Sequence, residues 1–325
     1  MVRTEELPVT AGEAVLSGTL TLPDAPHADA ARVPAALLMS SWLPRTRDGD
    51  WDRVAHPRWF APSGGNAPGP LARLADALAS HGVATLRCDP RGCGASDGEW
   101  ESVSLFTRID DARDMLAAMR SHGALDLRRM AIVGHGEGAT LALSVAIGDP
   151  AVSALTLIGP SARSWRDVLR RGVGQRGRTG TDREHPLVRT IDRSSEEIIE
   201  RAERREPTMR LHVAGDVVEL ALAGVEQAIH TPPLALATML HRSVGLVHGA
   251  DDAWSHPDES VLLAVALREG GNEPSRRLVP DAGHDLAEAD DAVIDEIAAD
   301  LAARITAVEL PPVLVALEEM DGGVR

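Results

Sequence analysis

The sequence predicts an α/β protein: a mostly parallel central sheet with helices on both faces and a helical cap insertion. Three observations carry this. Short apolar runs of strand length alternate with longer runs of helical spacing. A glycine turn, Gly134-His135-Gly136-Glu137-Gly138, stands between one of those strands and the next helix. The alternation then breaks over residues 161–231, where the chain is charged and helical, and resumes afterwards.

Residues 14–22 alternate like an edge or hairpin strand. Residues 33–39 form a more continuous apolar strand, and a long loop rich in Trp, Arg and Asp runs from Ser40 to Pro70. Leu71 to Ser80 has helical spacing and stops at Gly82. Val83 to Cys88 reads as a buried strand, and Val103 to Ser121 as an amphipathic helix. Met130 to Val133 is the strand entering the glycine turn, Ala139 to Ile147 the helix leaving it, and Val152 to Ile158 the next strand. Apolar strands separated by helices belong to a parallel sheet covered on both faces.

From Ser161 to Thr231 no convincing buried strand is expected, and none before Ser243. Such an insertion between two sheet strands reads as a helical cap over the site. The predicted organisation is a core of residues 1–160 and 232–325 with a cap of residues 161–231. Core order resumes with a strand at Val244–His248, a helix at Glu259–Glu269, a strand at Arg276–Val279 and a final helix at Asp290–Ile305. The tail after Val308 is expected to pack loosely, and there is no internal repeat.

Composition limits the chemistry. The 325 residues are 44% hydrophobic and 25% charged, as in a soluble globular protein. The formal charge of −16 argues against a nucleic-acid partner, whose backbone calls for a basic stripe. No run approaches the ~20 apolar residues of a membrane helix, and the first residues lack the apolar core of a secretory signal. The expectation is a cytoplasmic protein with no membrane contact. Two cysteines, Cys88 and Cys93, are too few for a disulfide framework. All 33 basic residues are Arg, and there is no Lys and no Tyr. Acid–base work therefore falls to His, Asp, Glu or Cys.

Gly134 to Gly138 stands where a serine hydrolase carries Gly-X-Ser-X-Gly, in the strand–turn–helix setting of a nucleophile elbow. Gly249-Ala250-Asp251-Asp252 follows a later strand, and Gly283-His284-Asp285 lies between the last strand and the last helix. Asp89-Pro90-Arg91-Gly92-Cys93-Gly94-Ala95-Ser96 and Arg47-Asp48-Gly49 are two further motifs in order. Together these resemble the α/β-hydrolase fold over roughly residues 10–306. Within it they are most similar to bacterial esterases and acyl hydrolases whose elbow reads Gly-His-Ser-Glu-Gly. The resemblance implies that His284 is a general base oriented by Asp252 or its neighbour Asp251. It implies an oxyanion hole from the backbone N–H of Glu137 and one from the Ser41-Trp42 loop, with His135 beside the substrate. It implies a small acyl- or ester-bearing substrate and no cofactor or metal.

Gly136 departs from the pattern, since glycine cannot be a nucleophile. Removing the serine of a Ser-His-Asp triad costs on the order of 10⁶ in turnover. A base and an oxyanion hole without a covalent intermediate still suffice for proton abstraction next to a carbonyl. Elimination of a carboxylate such as acetate is therefore the reading favoured by sequence, and similarity to hydrolase-fold enzymes that eliminate acetate in natural-product pathways implies an acylated natural-product intermediate as substrate. A second is ester or thioester hydrolysis through activated water or another nucleophile, or a serine enzyme inactivated by a Ser→Gly change. A third is a binding protein that kept the pocket. Ser40, Ser41, Ser161 and Cys93 have no evident adjacent base and read as structural, and His248 reads as a strand-end histidine. Gly134-X-Gly136-X-X-Ala139 also fits a dinucleotide fingerprint, but the next strand ends in Ile158-Gly159-Pro160, without the acidic residue ribose binding needs.

Overall fold

The computed structural model describes residues 2–24, 32–59, 69–171 and 186–307. Its main sheet has eight strands. In spatial order they are β1 (Arg3–Glu6), β4 (Gly18–Leu22), β6 (Ala84–Cys88), β5 (Val33–Met39), β7 (Leu125–His135), β8 (Val152–Ile158), β11 (Ser243–Gly249) and β12 (Ser275–Val279). From β6 to β12 every pairing is parallel, while β1 and β4 add an antiparallel edge. A separate hairpin joins β2 (Val9–Ala11) to β3 (Ala14–Leu16). The single strand expected over residues 14–22 is thus two, because the chain leaves that hairpin at Ser17 to enter the main sheet.

The apolar strands are buried on both faces, with side chains alternating between two cores. Leu37 and Ile132 point to the face covered by α2 (Leu105–Ser121), α3 (Glu137–Gly148) and α9 (Asp258–Glu269). Ala36, Leu38, Ala131 and Val133 point to the face covered by α1 (Pro70–Ser80) and α10 (Asp291–Thr306). Helix starts follow local chemistry. Ser104 caps α2 by accepting from Thr107 N at 3.1 Å, and Asp290 caps α10 by accepting from Val293 N at 2.8 Å.

Between β8 and β11 lie α4 (Trp165–Arg170), α5 (Pro186–Arg193), α6 (Ser195–Glu203), a hairpin of β9 (Thr208–Val213) and β10 (Asp216–Ala221), α7 (Ala223–His230) and α8 (Pro233–Met239). The insertion is therefore not purely helical as the sequence suggested. Met209, Leu211 and Val213 are buried on one side of β9, while Arg210 faces Glu219 across the exposed side at 3.5 Å. Charged residues at alternate positions hid a half-buried strand whose turn, Ala214-Gly215, adopts positive φ at both residues. The tail after Val308 lies outside the described residues. Among those residues no helix is long and apolar enough to cross a membrane.

Candidate active site

β7 ends at His135, and the chain reverses at Gly136 (φ 57°, ψ −117°) into α3. Only glycine takes that conformation without strain. Glu137 is the first residue of α3, so its N–H has no intrahelical acceptor and is available to an oxyanion. At the ends of the parallel strands beside this turn stand the loop after β5 (Ser40–Trp42), the loop after β8 (Gly159–Ser161), the loop after β11 (Asp252–Ser255) and His284. Crevices outside the carboxyl ends of parallel strands are the usual ligand sites of open α/β sheets.

His284 and Asp252 meet there. Asp252 Oδ2 accepts from His284 Nδ1 at 2.8 Å, and Oδ1 accepts from the N–H groups of Trp254 and Ser255, each at 2.8 Å. Asp251 makes no such contact, and its own N–H donates to Ala282 O at 3.0 Å. With Nδ1 donating to a carboxylate, Nε2 presents its lone pair to the cleft. Burial pushes the His284 pKa down, but the adjoining Asp252 charge and hydrogen bond outweigh it, so the net shift is upward. Burial likewise opposes the Asp252 carboxylate, and His284 and His248 together hold it well below the usual carboxylate range. His248, at the end of β11, lies 3.2 Å from Asp252 Oδ2 and 2.7 Å from Ser255 O.

His135 is not among the cleft-lining groups, contrary to the expectation that it would meet substrate. It is fully buried, and its Nε2 lies 3.1 Å from His284 O, so it supports the base from beneath. Successive residues at a strand end point to opposite sides, which carries His135 away from the cleft. Burial, reinforced by the nearby His284, lowers its pKa to about 3 and keeps it neutral. Asp285 is held by Arg45, whose Nη2 lies 3.0 Å away and whose guanidinium stacks 3.7 Å above the Trp51 ring. Burial raises the Asp285 carboxylate's pKa, but Arg45 and the two histidines bring it down overall.

Three positions that sequence reasoning missed complete the frame. Arg108 of α2 pairs with the buried Glu137 carboxylate and donates through Nη2 to Ser40 O at 2.8 Å, tying the loop after β5 to the start of α3. Gly159 (φ 55°) lies against the dyad, where a Cβ would stand 2.9 Å from His284 Nδ1 and 3.1 Å from Asp252 Oδ2. Trp254 closes one wall, its ring 6.5 Å from that of His284. None has a local signature, because each is defined by a neighbour far away in the chain.

The cleft is partly open to solvent. Trp42, Trp51, Trp165 and Trp254 line it, and Trp165 of the insertion meets Trp42 edge-on at 4.3 Å. Trp59 and Trp100 pack on each other elsewhere, at 5.1 Å. Ser41 and Ser161 both line the cleft. A Cβ on Gly136 would stand 2.8 Å from His284 Nε2 and 2.1 Å from Ser41 Oγ. The base thus faces the elbow position, and the Ser41 hydroxyl occupies the space a side chain there would need.

Two groupings of metal-ligand type occur among the described residues. Asp52 spends its oxygens on the N–H groups of Ala55 (2.9 Å) and Gly94 (2.7 Å), and the neighbouring Cys93 thiol is pushed up to about 12 by burial. In the second grouping, His135, His284 and Asp285 are engaged as described above. Neither presents a set of free donors.

The comparisons with known proteins agree with this architecture. A family model described as serine aminopeptidase, S33, matches residues 64–290. The chain belongs to the serine aminopeptidase S33 family. Its fold is that of the α/β hydrolases, and membership of this family makes it an enzyme of hydrolase type. Est1E from Butyrivibrio proteoclasticus, solved with ferulic acid, is similar over 93% of this chain and 99% of its own, at 16% identity and a TM-score of 0.64. The esterase domain of a Rhodothermus marinus protein covers 94% of this chain and 99% of its own, at 18% identity and a TM-score of 0.58. DcsB, solved with a substrate analogue, covers 95% and 100%, at 14% identity and a TM-score of 0.63. No curated protein sequence is significantly similar. This S33-family chain thus retains strand, turn and helix at the elbow with glycine at its centre.

Proposed function

We propose that this S33-family protein cleaves an ester of a small acylated molecule without a cofactor, with His284 as general base and Asp252 holding its orientation. The observation that carries the reading is the position of His284 Nε2, 2.8 Å from where a Gly136 side chain would begin, with Nδ1 anchored on Asp252 at 2.8 Å. A base so placed can take the proton of an attacking hydroxyl or water. The N–H groups of Glu137 and of the Ser41–Trp42 loop are suited to hold the oxyanion that results. Residues 161–231 act in this reading as the cap, with Trp165 giving the acyl or alcohol portion an apolar wall.

Elimination of a carboxylate is the second reading, and Gly136 is the observation that favours it. There His284 would remove a proton next to the substrate's carbonyl, the C–O bond to the departing carboxylate would break, and no water would enter either product.

Turnover of short-chain aryl and alkyl esters and of a β-acyloxy ketone, which carries a removable proton next to its carbonyl, tests both when run in ¹⁸O-water and followed by mass spectrometry. Hydrolysis places one ¹⁸O in the released acid. Elimination releases an unlabelled acid and an alkene. His284→Ala is expected to stop either reaction, and retention of full turnover in that variant would remove the basis of both readings.

A further inference from the structure

We infer that Ser41 is the nucleophile of this enzyme, presented from the loop after β5 instead of from the elbow. This rests on the reading of His284 as general base. Elimination needs no nucleophile, and Ser41 then decides between the two reactions.

The ideal Cβ of residue 136 falls 2.1 Å from Ser41 Oγ and 2.8 Å from Ser41 Cβ, closer than non-bonded atoms can approach. The Ser41 side chain and any side chain at 136 therefore cannot share the site as it stands. What occupies the nucleophile's volume is a hydroxyl, and it comes from a residue that lines the cleft. His284 Nε2 stands 2.8 Å from the same point, so Ser41 Oγ and the base converge on one small region. Nucleophile–base contacts are often looser before substrate binds and tighten in the complex.

The position is fixed, as a nucleophile's must be. Ser41 is 8% exposed, and the preceding carbonyl of Ser40 is held by Arg108 at 2.8 Å. The same guanidinium pairs with Glu137, so loop and elbow are clamped by one side chain. Neither cysteine competes for the role. Burial raises both thiols to about 12, where the reactive thiolate is scarce. Ser161 also lines the cleft, but it is not among the atoms nearest the space of a residue-136 side chain, where Ser41 Oγ and His284 Nε2 both lie.

The chemistry balances without another reagent. As Ser41 Oγ bonds to the substrate carbonyl carbon, its proton passes to His284 Nε2 and the carbonyl oxygen becomes the oxyanion. Collapse breaks the bond to the alcohol oxygen, which leaves with the proton from His284. Water then attacks the Ser41 ester and gives a proton to His284, and the acid departs as Ser41 Oγ recovers that proton.

The test is active-site labelling with a fluorophosphonate, with the adduct located by peptide mass mapping, beside ester turnover by the same samples. The parent protein is expected to carry one phosphonyl group on the peptide containing Ser41. Ser41→Ala should abolish the label and lower kcat/KM by about 10³-fold or more. Ser161→Ala should keep the label on Ser41. The exchange variant Ser41→Gly/Gly136→Ser returns the hydroxyl to the elbow without crowding and should be labelled on the peptide containing position 136. Labelling on Ser161 or on no serine at all, or a Ser41→Ala variant that keeps its label, overturns the inference. Labelling does not depend on ester turnover. A labelled Ser41 in a protein that cleaves no ester supports the nucleophile while refuting the proposed function, and turnover without the label does the reverse.

Discussion

Gly159→Ala tests whether the dyad depends on the close backbone approach beside it. The added methyl would lie 2.9 Å from His284 Nδ1, 3.0 Å from Cε1 and 3.1 Å from Asp252 Oδ2, at a residue with φ 55°. A left-handed conformation costs an alanine roughly 1–2 kcal/mol. Relieving those contacts must move the imidazole or the carboxylate by a few tenths of an ångström. Both are buried, so the movement is resisted and the 2.8 Å hydrogen bond between them lengthens. At about 2–4 °C per kcal/mol the melting temperature should fall by roughly 2–8 °C. Displacement of the base should lower kcat/KM by about tenfold or more, equivalent to ~1.4 kcal/mol of barrier. Scanning fluorimetry and ester turnover read the two effects, with the downfield Nδ1 proton in NMR reporting the bond itself. Gly148→Ala is the control, since a methyl there meets nothing within 4 Å. The reasoning fails if Gly159→Ala melts and turns over like the parent with its Nδ1 resonance unmoved.

Asp252→Asn removes the charge that raises the His284 pKa, and in a comparable His–Asp pair this exchange costs about 10⁴ in kcat. Since the neutral imidazole is the active form, turnover of the parent should climb as pH rises through a value above 6.5, and the variant's acidic limb should sit at lower pH. The same shifts make the pair's contribution to stability pH-dependent. The Asp252 part is present above its ordinary value of 3.8 and is lost as pH falls through its depressed folded value. The His284 part is complete below 6.5 and is lost as pH rises through its raised folded value, a window that urea midpoints across pH would outline. Arg108→Met leaves the Glu137 carboxylate, whose side chain is 2% exposed, buried without its cation. A loss of about 3–5 kcal/mol is expected by urea denaturation, with partial recovery when Glu137→Gln is added.

The sheet was legible because its strands are apolar on both faces and its helices carry ordinary caps and amphipathic spacing. Those signals are local, and β8 falls at Val152–Ile158 as the sequence indicates. The Gly136 turn, Asp252 and His284 were also visible, since each follows a strand at the edge where parallel sheets place loops. The hairpin of the insertion was hidden by charges on its exposed face. Ser41 read as structural for a different reason. The base proposed for it, His284, is separated from it by most of the chain, and no local pattern links the two. Arg108 looked like one more polar residue on an amphipathic helix, and its partners Glu137 and Ser40 are set by packing alone.

The apolar interior is divided in a way that bears on motion. Two clusters sandwich the sheet, and a third, including Leu169, Leu187, Ile191, Ile198 and Leu220, lies within the insertion and the loops beneath it. The third shares no buried member with the others, while Ala162 and Ala228 of the insertion are buried with the α2–α3–α9 side of the sheet. Trp165 packs against both the third cluster and the α2–α3–α9 side of the sheet while facing the cleft. Loosening of that third cluster therefore shifts one wall of the binding space. Exchange of substrate and product is thereby coupled to the insertion's own packing, through the indoles of Trp42, Trp51, Trp165 and Trp254 that both line the cleft and pack on that cluster.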